Sequence, residues 1–305
     1  MKHLHVTFEG TPDSTGFLFS LAKCLSASLR NSAYADDADD IVATSGFAFR
    51  MWINRDSLCP SATSIWEFKK QKPWVENGGL TCRYVERLWG QDTVEEQRRL
   101  QAIELIKDAI DQGVAPVAWD ISGCEWGIIT GYDDETQTLE TLKINNKPDA
   151  VPYDSLGKLD LPILSVLAVT GKTEKSPADL VADTKRLAIA HLTGKEWCDN
   201  AKGLAAYDAL ITFIETTLTP DHAWNLKYNL GTYAALKQYA ARFFEKYSEP
   251  ALADLYREIH DSWKAAFKIA RKQDLADPQT KAQLVALLKA AQSAEQRAVE
   301  IMSQT

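Results

Sequence analysis

The sequence is poor in the residues that metal and thiol chemistry need. Only five cysteines and five histidines occur in 305 residues. Cys24, Cys59, Cys82, Cys124 and Cys198 are scattered, with no C-x-x-C pair. That spacing excludes the usual zinc arrangements, and an odd, dispersed set is no disulfide framework. Reduced thiols in the cytoplasm are the expectation, with no metal and no cofactor. Long apolar runs are also missing. None approaches the roughly 18 residues of a membrane-spanning helix. The opening Met1-Lys2-His3-Leu4-His5-Val6 lacks the apolar stretch of a secretory leader. Positive charge is in deficit, with 34 Lys and Arg against 42 Asp and Glu, a net of −8. That balance argues against nucleic acid or an anionic membrane as the main partner.

What is present suits a packed globular chain: 45% apolar and 25% charged residues. The length suggests two domains. Tryptophan is plentiful, and Trp52, Trp66, Trp74, Trp89, Trp119 and Trp126 all fall in the N-terminal part. Core and interface bulk is their first reading, and an aromatic pocket the alternative.

Along the chain, His3–Phe8 reads as a short strand and residues 10–14 as a turn. A helix follows, with Phe17, Leu18, Leu21, Cys24, Leu25 and Leu29 at helical spacing and Asp13, Ser14 or Thr15 as its cap. Asp36-Asp37-Ala38-Asp39-Asp40 reads as a solvated helix start, since no glycine-punctuated ligand loop surrounds it. Phe47, Phe49, Met51 and Ile53 alternate as in a strand. A short helix is expected through Ile65, Trp66 and Phe68. Leu80–Trp89 reads as a strand. Thr93-Val94-Glu95-Glu96 has capping-box spacing and opens a helix through Leu100, Ile103, Ile106 and Ile110, ended by Gly113.

Short apolar segments then recur at Val114–Ile121, Glu125–Tyr132, Thr138–Asn145 and Leu161–Val169. Helices followed by an antiparallel meander indicate an α+β domain over 1–172. From 173 to 305 the strand signals stop. Apolar stripes such as Leu252, Leu255, Tyr256, Ile259, Trp263, Phe267 and Ala270 describe an all-α bundle.

Gly10–Leu29, Ser45-Gly46-Phe47-Ala48-Phe49 and Glu125-Trp126-Gly127-Ile128-Ile129-Thr130-Gly131-Tyr132-Asp133 together carry a resemblance. In these segments, and around Gly203-Leu204-Ala205-Ala206, the chain resembles the butirosin-biosynthesis H-type proteins of bacteria. More distantly it is similar to bacteriocin-processing cysteine peptidases. The resemblance implies a papain-like N-terminal fold followed by a helical domain. In that family a cysteine at the start of the first helix is paired with a strand histidine, oriented by a carboxylate or amide. The H-type family resembles acyltransferases that move an acyl chain from a carrier protein to an aminoglycoside.

The chain departs from the family at both key positions. The nucleophile position falls at Thr15 or Gly16, and the histidine position at Glu125-Trp126. Symmetric pairing of the hairpin would set Asn145 or Asn146 beside Glu125. The expectation is therefore a catalytically degenerate binder of a small molecule, of cationic character, or of a partner. Its cleft would lie between first helix and hairpin, lined by Thr15, Trp119, Asp120, Glu125, Trp126, Tyr132 and Asn145. Two alternatives stay open. One is a hydrolase or acyltransferase with Glu125 as acid or base, Thr15 or water as nucleophile and Asn145 as orienting group. The other is an assembly protein whose helical half forms a homodimer.

Overall fold

A computed structural model describes residues 1–64, 67–121, 123–195 and 199–304. The helix expected through Ile65 and Trp66, and the thiol of Cys198, lie outside the described residues. The protein is mixed α/β, with an antiparallel sheet and several helices. In chain order the elements are β1 (Lys2–His3), α1 (Ser20–Arg30), α2 (Asp40–Thr44), β2 (Trp52–Ile53), α3 (Gln71–Glu76), β3 (Leu80–Arg87), α4 (Glu95–Asp111), β4 (Val117–Ala118) and β5 (Gly127–Asp133). They continue with β6 (Thr138–Leu142), β7 (Pro148–Pro152), β8 (Leu164–Lys172), α5 (Pro177–Leu192), β9 (Ala201–Lys202), α6 (Ala205–Thr216), α7 (Ala223–Lys246), α8 (Pro250–Lys272) and α9 (Pro278–Ser303). No helix of the described residues is long and apolar enough to cross a membrane.

The chain divides into two compact units, each drawn from three segments. The first takes Met1–Pro12, Ser20–Ile41 and Phe68–Lys175; the second takes Asp13–Phe19, Val42–Glu67 and Ser176–Thr305.

In the first unit the strands run β3-β8-β4-β5-β6-β7, every pairing antiparallel. β1 pairs with β5 at Gly131 and Tyr132, further along the edge that β4 pairs at Gly127 and Ile128. β8 is buried continuously from Leu164 to Val169, as expected of a strand covered on both faces. Helix α4 supplies one cover. Its Ala102, Ile103, Leu105, Ile106, Ala109 and Ile110 pack on Ala118, Ile129, Leu139, Val166 and Ala168. Each fully buried Leu or Ile in that layer contributes about 1.5–3 kcal/mol. Thr93 makes no cap. The residue before α4 is Val94, without a side-chain hydrogen bond. Gly113 does end the helix. At φ +79°, it lets the Val114 N–H reach back to the Ala109 carbonyl at 2.9 Å. Helix α1 packs on β4 and β5, anchored by the Ser28 hydroxyl donating to the Ala115 carbonyl at 2.6 Å.

In the second unit α7, α8 and α9 pack in sequence, with α5 and α6 against α9. Helix α7 is buried nearly all round, so its polar residues find internal partners. The Asn229 amide donates to the Leu58 carbonyl at 2.9 Å, and the Tyr233 hydroxyl binds both the N–H and C=O of Trp52. β2 pairs antiparallel with β9. The Arg50 guanidinium is buried 5.2, 5.0 and 4.6 Å from the ring centres of Phe19, Phe47 and Trp52, each a cation–π contact. It also donates to the Thr63 carbonyl at 2.7 Å. Thr219 and His222 form a capping box ahead of α7.

His191, on α5, is fully enclosed in the second unit. Burial, with the nearby charges of Arg50 and Lys237, holds its imidazole well below the usual histidine range. His260 is also lowered, by burial above all. The unfolded chain therefore takes up protons on these rings that the native chain refuses. Stability is complete above about pH 6.5 and falls as pH drops below it, by up to about 1.4 kcal/mol per pH unit per ring. The lowered carboxylates, such as Asp111 and Asp277, lose their contribution only at more acid pH. Urea unfolding between pH 7.5 and 5 is expected to show this loss, and a His191→Gln variant a shallower one. Equal slopes in the two proteins would refute the assignment to His191.

Candidate functional site

The segment between β4 and β5 is built by backbone conformations that few residues adopt willingly. Asp120 and Cys124 sit at φ +63° and +55°, and Gly123 at +70°. Asp120 is buried, at 4% exposure, and works as an internal staple. Its Oδ1 accepts from the Cys124 N–H at 2.6 Å and its Oδ2 from the Leu161 N–H at 2.8 Å. Both oxygens are thus committed to holding the loop. At either end stand Trp119 and Trp126, with ring centres 5.3 Å apart, in the edge-to-face arrangement that aromatic pairs prefer. The indole nitrogen of Trp119 is buried with no acceptor among the described residues.

Glu125 is half-buried at the mouth of β5. The hydroxyl of Ser20, first residue of α1, donates to its carboxylate, and the Trp126 N–H reaches the same hydroxyl oxygen at 3.4 Å. The beginning of α1 and the entry to the β5–β6 hairpin therefore meet inside the first unit. Ser20 is the residue that sequence reasoning missed. The usable signal was that an amphipathic stripe counted from Leu21 leaves Ser20 at the helix start.

The electrostatics of this corner are acidic. The Cys124 thiol is pushed above its ordinary value by burial, then by the charges of Asp120, Asp160 and Glu125. The donor atoms of Asp120, Cys124 and Asp160 lie within 4.8 Å of one another and form the group among the described residues that could hold a metal ion. Cys24, one turn into α1, is wholly buried. Burial pushes its thiol well above the usual range, which leaves it a packed side chain and no nucleophile.

Three of the expected lining residues are engaged with other partners. Thr15 belongs to the second unit, where its hydroxyl donates to the Gly231 carbonyl at 2.9 Å. It starts no helix. Asp13 Oδ1 instead collects the N–H groups of Gly16 and Leu18, at 2.8 Å and 3.2 Å, ahead of α1, closing a turn as aspartate side chains commonly do. Tyr132 lies at the other end of β5, roughly 20 Å along the strand from Glu125. Its hydroxyl donates to Asp111 at 2.8 Å. Asn145 is exposed and its amide oxygen accepts from the Lys147 N–H at 3.1 Å. The β5–β6 register, Ile128 opposite Leu142 and Ile129 opposite Thr141, is the one that would carry 125 to 145. The ladder stops at Leu142, so that pairing is not reached.

Glu125, Ser20, Trp119, Asp120, Trp126 and Asp160 thus form the local set. A carboxylate hydrogen-bonded to a hydroxyl at a helix start can accept that proton, and a group of carboxylates can hold a cation. Neither a protein-family model nor a curated protein matches this chain.

Proposed function

We propose that this is a catalytically degenerate, papain-like protein of the butirosin H type that binds a small organic cation at the Glu125 corner of its first unit. The observation that carries the reading is the approach of Asp120, Cys124 and Asp160, whose donor atoms lie within 4.8 Å of one another, with Glu125 next to Cys124 in the chain. The charges of Asp120, Asp160 and Glu125, which add to burial in raising the Cys124 thiol, attract a cation. Cysteine is absent from the start of α1 and histidine from the mouth of β5, which supports binding over thiol catalysis.

Spermidine is a suitable probe. At about 100 times its dissociation constant, a ligand specific for the native state stabilises by about 2.7 kcal/mol. Melting temperature is expected to rise with spermidine, to stay put with sodium at equal ionic strength, and to lose the rise in Glu125→Gln. A rise unchanged in Glu125→Gln would remove the proposal.

The Ser20–Glu125 hydrogen bond favours a second reading, an ester or amide hydrolase or an acyltransferase. Glu125 would take the Ser20 proton as the serine oxygen attacks the carbonyl carbon of an ester or amide, and pass it to the alcohol or amine that departs as the C–O or C–N bond breaks, leaving an acyl-serine that water or an acceptor amine then cleaves to free Ser20. Ser20 takes the nucleophile role in this reading because the Thr15 hydroxyl is engaged with Gly231. A fluorophosphonate probe separates the two readings. Under the second, mass spectrometry finds the adduct on Ser20, and Glu125→Gln slows labelling by at least tenfold. Under the first, Ser20 stays unlabelled.

A further inference from the structure

Arg87, the last residue of β3, is buried in the first unit at 3% exposure. Its guanidinium forms no ion pair among the described residues. Nη1 donates to the Pro162 carbonyl at 2.7 Å and Nη2 to the Gly157 carbonyl at 2.5 Å. Nε has no acceptor among the described residues. Taking a guanidinium out of water without a carboxylate is costly, and packing alone would be better served by an apolar side chain. What arginine adds is shape: a rigid planar fork that reaches two carbonyls at once. Those two carbonyls bracket one stretch of chain, so the fork closes residues 157–162 into a loop. Asp160 stands inside that loop, and its donor atom lies within 4.8 Å of those of Asp120 and Cys124. The loop is tied at a second point. The Leu161 N–H donates to Oδ2 of Asp120, whose Oδ1 holds the Cys124 N–H. Arg87 itself is fixed in the β3–β8 ladder opposite Leu164, and a strand is a firmer anchor than a loop.

We infer that Arg87 is a positioning residue of the cation site, the clamp that holds the 157–162 loop so that Asp160 stands beside Cys124, a role that rests on the cation reading of that corner. Arg87 touches no ligand. Its work is to spare the ligand the cost of ordering the loop. With the clamp gone, Asp160 turns toward water and the corner loses one of its three carboxylates. Lysine keeps the charge at this position but not the fork, so it cannot hold both carbonyls in one plane.

Cys124 reports on the clamp without any ligand. It is exposed, and Asp160 is one of the charges that raise its thiol. Iodoacetamide alkylation of the folded full-length protein, read by mass spectrometry of the Cys124 peptide, gives a pH–rate profile. Asp160→Asn should move its midpoint to lower pH and speed labelling at pH 7 about twofold. Arg87→Lys should do the same, and the double variant no more than either. Lost stability alone would leave the midpoint of the folded protein in place. Spermidine affinity should fall by about fivefold in both single variants. An unmoved midpoint in either single variant would overturn the inference and leave the cation reading standing. No spermidine effect on the wild-type protein would end that reading and the clamp's role with it. Arg87→Met, with no charge to bury, takes over if Arg87→Lys does not fold. If neither folds, hydrogen exchange in the native protein decides. The Leu161 N–H and the Arg87 Nη–H groups should then open with one urea dependence, as a single event, and separate openings would overturn the inference.

Discussion

Alanine in place of Glu295 is expected to lower the unfolding free energy by about 3–5 kcal/mol. Glu295 and Lys237 form an ion pair with both side chains at 0% exposure, in the interior of the second unit. The Tyr207 hydroxyl donates to the second carboxylate oxygen at 2.7 Å, and the Trp263 indole N–H donates to Tyr207 at 2.9 Å. Removing the carboxylate strands an ammonium in an apolar interior and takes away Tyr207's acceptor. The native pair already sits uneasily: burial outweighs the attraction of Glu295 and holds Lys237 below its ordinary value. In Glu295→Ala that depression deepens. The unfolded state then binds a proton the native state sheds, so the variant should gain stability as pH rises from 7 to 9. Replacing both partners with apolar residues of similar volume, Lys237→Met with Glu295→Leu, is expected to recover at least half of the loss. Urea unfolding followed by tryptophan fluorescence measures all three. A loss under about 1 kcal/mol in Glu295→Ala, the range of an exposed pair, would show that the pair is not enclosed.

Gly46→Ala is the second large effect, about 2–6 kcal/mol from two causes that add. Gly46 holds φ +80°. A side chain in that region costs about 1–3 kcal/mol. An added Cβ would also stand 2.6 Å from Cδ2 of His191 and 3.0 Å from Cδ2 of Leu187. Overpacking of that kind costs about 1–3 kcal/mol. Gly16→Ala is the matched control. Its φ is +79° but nothing lies within 4 Å of the built Cβ, so only the backbone part applies. The excess of Gly46→Ala over Gly16→Ala isolates the collision with the imidazole. The same excess should shrink in a His191→Ala background. Equal losses at the two glycines would mean that His191 does not pack on Gly46.

The helical stripes were legible because amphipathic spacing is a local property. Leu252, Leu255, Tyr256, Ile259, Trp263, Phe267 and Ala270 are all buried on α8, as their period implies. The alternation from Phe47 to Ile53 misled for a physical reason. Residues 42–53 are all buried, Ala48, Arg50 and Trp52 included, so there is no solvent face for a two-residue period to mark. Only Trp52 and Ile53 are strand, and their partners are Lys202 and Ala201. Thr15 looked like part of a helix cap because Asp13-Ser14-Thr15 has capping chemistry. Asp13 uses that chemistry to close a turn, and α1 opens later, at Ser20. Glu125 was visible as a carboxylate entering a buried strand. Its partner Ser20, and the Asp160 that approaches Cys124, come from distant segments, and their approach is set by tertiary packing that no local pattern encodes.

The β2–β9 pairing also sets a schedule for synthesis. A ribosome releases residues 42–53 long before residue 201, and at roughly 5–20 residues per second the interval is on the order of ten seconds. During it Phe47, Phe49, Met51 and Trp52 have no finished core to enter, since Ser176–Thr305, the largest segment of their unit, is still to come. This short greasy stretch is where a nascent chain of this protein would most need a chaperone's grip.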